Sequence, residues 1–125
     1  MFVKTNPNPA NNVTGDCVIR AISIAEDKTW DEIFLDLMVE CFFLKDVPST
    51  NSAWGEYLRE LGYQRHLVSD LCPYCYNVED FTRENPEGTY ILATGTHVVC
   101  VKSGQYMDSW DSGQERPIYY FKKGE

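Results

Sequence analysis

Cys17, His97 and Asp108 are the residues of this 125-residue chain whose types and settings point to shared chemistry. Cys17 stands in "VTGDCVIRAISIA", where Gly15 and Asp16 break the chain just before a run of helical spacing. That places a thiol in a helix's first turn, where backbone N–H groups without a helical partner favour the thiolate. His97 and Asp108 stand in "THVVCVKSGQYMDSW", which reads as a β-hairpin turning at Ser103-Gly104 between Lys102 and Gln105. In that register Val101 faces Tyr106, Val99 faces Asp108 and His97 faces Trp110. Side chains alternate, so His97, Val99 and Val101 share a face with Tyr106, Asp108 and Trp110, while Asp111 falls on the other face. Asp108 is diagonal to His97 and within side-chain reach of it. A carboxylate beside an imidazole fixes its tautomer and stabilises its cation, and a thiol brought to that pair becomes an activated nucleophile.

Taken singly, each residue has a plainer use. Cysteine is among the most buried residue types, and a lone strand histidine is commonly a satisfied polar side chain. It is the conjunction, in one chain order on suitable elements, that argues for chemistry. A competing signal is Cys72-Pro73-Tyr74-Cys75 in "LCPYCYNVEDF", which has the letters of a glutaredoxin site. A thioredoxin-like domain needs a strand before that motif and a helix directly after it, and here three helical patterns precede it. A zinc site would need two further ligands; there is no second C-x-x-C, and His66 and Cys41 lie at irregular spacings. The motif therefore reads as a proline-containing loop with two reduced thiols that lines the substrate cleft. Neither a metal nor a cofactor is expected.

The elements that must position these residues follow from the pattern. Residues 1–15, rich in Asn, Pro and Thr, read as an extended arm. From Asp16, a candidate N-cap, Cys17, Ile19, Ala21, Ile24 and Ala25 recur about a turn apart. Thr29 and Glu32 have capping-box spacing, and Ile33, Phe34, Leu37, Met38, Cys41 and Phe42 follow as an apolar helix ending near Pro48. A third helix, about Ser52 to Leu61, carries Trp54, Tyr57, Leu58 and Leu61 on one face, with Gly62 at its C′ position. The period then changes. "GYQRHLV" is strand-like, "NVEDFTREN" is a short helix with Asn77 as N-cap, and "GTYILAT", "THVVCV", "QYMDSW" and "RPIYYF" are strands. Helices first and an antiparallel sheet second make an α+β domain spanning residues 1–125.

Composition narrows the classes of function. The net charge is −8, from 19 acidic and 11 basic residues, and the longest basic run is Lys122-Lys123. Nucleic-acid binding is therefore not expected, and an acidic surface disfavours anionic membranes. No run of eighteen apolar residues and no signal-peptide core is present, which with five scattered cysteines reads as a cytosolic chain with reduced thiols. Arg20, one turn after Cys17, reads as a partly exposed ion-pair former that could support a thiolate, and His66 as a surface residue. Trp110 and Tyr106 share the His97 face and could wall a site there.

The conjunction of "GDCVIRAIS" with "GTYILATGTHVVCVKSGQYMDSWDS" resembles the papain-like cysteine peptidases. Those proteins carry the nucleophile at the start of a helix packed on an antiparallel sheet, with the His and then the Asp or Asn from later strands. It is most similar to small papain-like proteins of bacteria and their phages that pair "GDCVIRAI" with "GTYI…HVV…DxWDSG". The resemblance implies Cys17 as nucleophile, His97 as general base and Asp108 as its orienting carboxylate, with a protein or peptide substrate. It also implies an oxyanion-hole amide six residues before the cysteine, commonly Gln. That position is Asn11 here, with Asn12 as the alternative, and the Cys17 backbone N–H as second donor. Three readings follow: a cysteine hydrolase of peptide, isopeptide or related amide bonds; a non-catalytic phage or mobile-element module that blocks a host partner; and a redox or metal protein built on Cys72 and Cys75. Oligomeric state is left open.

Overall fold

The structure, a computed structural model, describes residues 1–12, 14–68 and 76–124. A six-stranded sheet runs through it, flanked by helices on both faces. In chain order the elements are β1 (Phe2–Lys4), α1 (Cys17–Glu26), α2 (Trp30–Leu44), α3 (Asn51–Glu60), β2 (Tyr63–Leu67), α4 (Val78–Glu84), β3 (Thr89–Ala93), β4 (Val98–Lys102), β5 (Gln105–Asp108) and β6 (Tyr119–Lys123). The strands lie in the order β1-β5-β4-β3-β6-β2, so the last strand inserts between β3 and β2. The arrangement is α+β, as the pattern of elements implies.

The sheet is not wholly antiparallel, and residues 1–15 are more than a loose arm. β1 pairs parallel with β5, Phe2 opposite Tyr106 and Lys4 opposite Asp108. The ladder continues past the strand, where the Thr5 N–H donates to the Asp108 carbonyl at 2.7 Å. A strand of three residues is too short to show a period, and its partner is about a hundred residues away. Nothing local therefore marks it.

Alternation along the central strands builds two cores. Ile91, Ala93, Val98, Cys100 and Phe121 face α1, α2 and α3, packing on Ile22, Ile33, Leu37, Trp54 and Leu58. Tyr90, Leu92, Val99, Val101 and Tyr106 face α4, against Val78 and Phe81. α1 lies across β4. α3 approaches the sheet at Gly55, where a Cβ would meet the Phe121 ring at 3.3 Å. The expected caps at Thr29 and Asn77 both form reciprocal capping boxes, with Glu32 and Asp80. Gly62 follows α3 with φ +96°, a conformation glycine adopts without a Cβ clash. Among the described residues no helix is long and apolar enough to cross a membrane.

Three local expectations are corrected. Asp16 precedes α1 but its side chain makes no cap hydrogen bond; the carboxylate is taken by three donors described below. α2 is apolar on more than one side: Ile33, Leu37 and Cys41 enter the core, whereas Met38 and Phe42 point outward, 41% and 65% exposed. α3 begins at Asn51 and ends at Glu60, one residue earlier at each end than its apolar spacing suggests.

The β4–β5 hairpin has the expected register, Lys102 opposite Gln105 and Val101 opposite Tyr106. Its turn residues Ser103 and Gly104 both have positive φ, +54° and +74°, as a type I′ turn requires. Serine tolerates that region less well than asparagine does. Ser103→Asn should therefore stabilise the protein by about 0.5 kcal/mol, raising Tm by ~2–4 °C. A Tm that falls on this change would contradict the turn.

Candidate active site

Cys17 is the first residue of α1 and is half-buried. Its thiol is coupled electrostatically to the His97 ring and to the Val98 backbone N–H, both of which lower its pKa. His97 sits in the loop from β3 to β4, and that loop is pinned. The His97 N–H donates to Thr94 Oγ1 at 3.0 Å, and the His97 carbonyl accepts from the Thr94 N–H at 2.8 Å. The His97 Nε2 lies 2.6 Å from Asp108 Oδ2. With Nε2 engaged by the carboxylate, Nδ1 is the ring nitrogen left for the thiol. The Trp110 ring lies against the imidazole at 4.8 Å between centroids, and is itself 46% exposed.

Helix α1 packs on the sheet face of Val98 and Cys100, whereas Val99 and Tyr106 belong to the opposite face. His97 and Asp108 are nominally on the Val99 face. They meet the thiol because His97 precedes β4 and Asp108 is the last residue of β5. The site thus sits at the end of the sheet, where α1 begins.

Asp108 is only 4% exposed, and its carboxylate is fully provided with donors. Oδ1 accepts from Arg20 Nη1 at 3.1 Å and from the Ser109 N–H at 2.8 Å. Oδ2 accepts from Ser112 Oγ at 2.7 Å besides its contact with His97. Four donors match the roughly four acceptor positions of a carboxylate.

Arg20 links this carboxylate to a second one. Its Nε donates to Asp16 Oδ1 at 2.9 Å, and its Nη1 also reaches Ser109 Oγ at 2.5 Å. Asp16 Oδ2 in turn accepts from Asn8 Nδ2 and Trp30 Nε1, both at 3.0 Å. Arg20 is 8% exposed, so the reading of it as a partly exposed ion-pair former is corrected: it is a buried bridge between the start of α1 and the end of β5. The Asp16–Arg20 spacing of four residues was visible in the sequence. Its second partner, Asp108, and the buried Ser112 were not, because nothing local joins them.

The ionisation of the three groups follows from this packing. Burial raises the pKa of the Cys17 thiol, but its hydrogen bond to His97 and the His97 charge outweigh that, so the thiol sits below its ordinary value. Burial pulls His97 down, yet its hydrogen bonds to Asp108 and Cys17 win and hold the imidazolium up to about pKa 9. Burial also pushes Asp108 up, and the His97 and Ser112 hydrogen bonds more than reverse it. All three shifts favour thiolate, imidazolium and carboxylate together.

The other candidates have partners outside the Cys17, His97 and Asp108 group. Asn11 is in the exposed arm with φ +53°, and its Oδ1 accepts from Asn6 Nδ2 at 3.1 Å. No hydrogen bond joins it to Cys17, His97 or Asp108 among the described residues. Asp111 accepts from the Tyr106 hydroxyl at 2.7 Å and from the Gly113 N–H at 3.0 Å. It therefore reaches the side of Tyr106, not the opposite one, because alternation stops when β5 ends at Asp108. Tyr106 is buried in the α4-side core and does not line the thiol, unlike Trp110. His66 is exposed and stacks on Tyr120. Cys41 and Cys100 are buried thiols, and Cys72 and Cys75 fall outside the described residues.

Two outcomes are expected from this geometry. Arg20→Met would leave Asp16 and Asp108 buried without their counter-ion and should destabilise the protein by ~3–5 kcal/mol in urea unfolding. Adding Asp16→Asn should recover part of the loss, and a neutral Arg20→Met would refute the bridge. The second outcome concerns pH. A thiolate–imidazolium pair holds one proton, as does an unfolded chain with a thiol and a neutral imidazole. Where that pair is formed, its contribution to wild-type stability should change less with pH between about pH 6.5 and 9 than that of His97 alone. In Cys17→Ala only His97 remains, still raised by Asp108. Its contribution is full below about pH 6.5 and is lost as pH rises toward its folded value, a fall of ~1–2 kcal/mol. A Cys17→Ala stability that stays flat across that window would show that His97 is not held as a cation. Comparison of the chain with protein-family models, with curated proteins and with solved structures gave no match.

Proposed function

We propose that the protein is a cysteine hydrolase acting on an amide bond of a protein or peptide, through a thioester on Cys17. The observation that carries this reading is the His97–Asp108 pair, 2.6 Å apart with the carboxylate fully satisfied, set beside a helix-start thiol whose pKa His97 lowers. A buried histidine needs one partner to be content; this one has a carboxylate on one nitrogen and a half-exposed thiol for the other. The ionisation directions are those a nucleophile and its acid need. A redox reading on Cys72 and Cys75 gains nothing from the described residues, and no observation favours a non-catalytic module over the hydrolase. The papain-like relationship remains part of this proposal, resting on the quoted motifs and on a helix-start thiol packed against a mixed sheet.

In this reading the Cys17 thiolate attacks the scissile carbonyl carbon and the resulting oxyanion is met by the Cys17 N–H. Asn11 is the proposed second donor, through Nδ2, since its Oδ1 is held by Asn6. The C–N bond breaks as His97 gives its proton to the leaving amine. His97 then takes a proton from water, the hydroxide attacks the thioester, and the carboxylic acid leaves with the thiol restored. Asp108 keeps the imidazole oriented and stabilises its cation at each protonated stage, and Arg20 keeps Asp108 in place.

The test is alkylation of Cys17 against pH, read by peptide mapping, together with hydrolysis of a panel of peptide and isopeptide amides. Wild type should react at a plateau rate from below the ordinary thiol range, and His97→Ala should revert to a single ionisation near that of a free cysteine. Asp108→Asn should lower hydrolysis about 100-fold with the fold retained, milder than in serine enzymes. Asp111→Asn should change it little. Identical alkylation profiles for wild type and His97→Ala, or preferential labelling of Cys72 or Cys75, would reject the proposal.

A further inference from the structure

We infer that the outward face of α2 is a self-association surface, on which a second copy of this chain packs its own α2 antiparallel about a two-fold axis. The inference is independent of the hydrolase reading. α2 has two apolar faces. Ile33, Leu37 and Cys41 lie in the core, and on the opposite side Leu35, Met38, Val39, Phe42 and Phe43 form a stripe at helical spacing. These residues are 62%, 41%, 55%, 65% and 73% exposed. With Val47 just beyond the helix they present on the order of 600–700 Å² of apolar surface, more than the largest patch of an ordinary monomer and close to the ~800 Å² each partner gives to a standard interface. A helix on a solvated surface gains nothing by placing two adjacent phenylalanines in water, and side chains three and four apart along one stripe are what a facing helix interdigitates with.

The occupant is identified by the pattern of charge. The stripe itself is uncharged. Asp31 and Glu32 lie in the first turn of α2 and Lys45 follows its last residue, while the carboxylate of the next residue, Asp46, is taken by the Val47 N–H and the Ser52 hydroxyl on the side of α3. Pairing two copies of α2 antiparallel, with Met38 and Val39 near the axis, brings Leu35 of one copy to Phe42 of the other. The same pairing sets the acidic first turn of each beside Lys45 of the other, and opposes the helix dipoles favourably. A parallel pairing would put like charges and like helix ends together. Lys45 Nζ already lies 4.1 Å from the Phe42 ring, at the rim of the stripe. Self-complementarity of one patch is what a two-fold interface demands.

Sedimentation velocity of the full chain over a micromolar concentration range tests this. The expected result is a shift from 14.4 kDa to twice that mass as concentration rises. Phe42→Asp, on an exposed position that does not threaten the fold, enters the interface twice and should weaken dimerisation by at least about 100-fold. Lys45→Glu should weaken it as well, and adding Asp31→Lys, which leaves the Thr29–Glu32 capping box intact, to Lys45→Glu should restore part of it. Near-ultraviolet circular dichroism of each variant shows whether its fold is kept. A monomer at every concentration would overturn the inference and leave the stripe to some other occupant. So would a dimer indifferent to Phe42→Asp, growth past two copies, or failure of the charge-exchanged variant to recover.

Discussion

The Asp108 carboxylate is buried, ionised and surrounded, and the geometry around it is a consequence of satisfying it. A carboxylate removed from water is costly unless donors replace its hydration. Here they come from separate parts of the chain: Arg20 on α1, His97 before β4, and Ser109 and Ser112 in the loop after β5. The backbone carbonyl of the same residue is held by Thr5 in the arm. Meeting the needs of one side chain thus orders the helix start that bears Cys17, the loop that bears His97 and the loop that bears Trp110. Site geometry and fold are the same problem at this point.

Arg20 is the reason two carboxylates can be buried together. Asp16 and Asp108 would repel each other in a poorly solvated space, and a guanidinium can serve both through different nitrogens in one plane. A lysine has a single charged centre and no such fork. The arrangement also diverts Asp16 from capping α1. The helix then starts at Cys17 without a carboxylate on its first N–H groups, which keeps their positive potential for the thiol instead of cancelling it. The same residue that looked like a simple cap is therefore part of the charge system that favours thiolate.

Much of this was readable in the chain, for physical reasons that differ from element to element. The β4–β5 register was legible because a Ser-Gly turn leaves few alternatives, but the expected pairing of His97 with Trp110 lies beyond both strands, since β4 begins at Val98 and β5 ends at Asp108. Thr29 and Asn77 were legible because a capping box is a local reciprocal bond. Where a feature depended on distant partners the sequence was silent. β1 needs β5, and Arg20 needs Asp108 at the far end of the chain. Asp16 shows the converse failure: a residue with a good local use was taken by a better tertiary one. The apolar spacing of α2 marked a strongly apolar helix but not its two faces, because periodicity counts hydrophobic residues without telling which of them meet the core. The papain-like reading is a proposal, and its argument rests on the motifs around Cys17 and His97 and not on overall architecture.

The two faces of α2 are not unrelated to the site. Trp30 opens this helix, stacks on Phe34 and gives its indole N–H to Asp16. Asp31 and Glu32, which stand beside it, belong to the first turn that the inferred second copy would engage. Lengthening the set of contacts that hold α2 in its helical state raises the free energy needed to fray its first turn, and a ligand or partner that binds only the folded form adds its binding energy to that cost. The Asp16 end of the network depends on Trp30 staying in place, and Asp16 holds Arg20, which holds Asp108. A continuous run of packed side chains and direct hydrogen bonds thus joins the first turn of α2 to the carboxylate that orients His97.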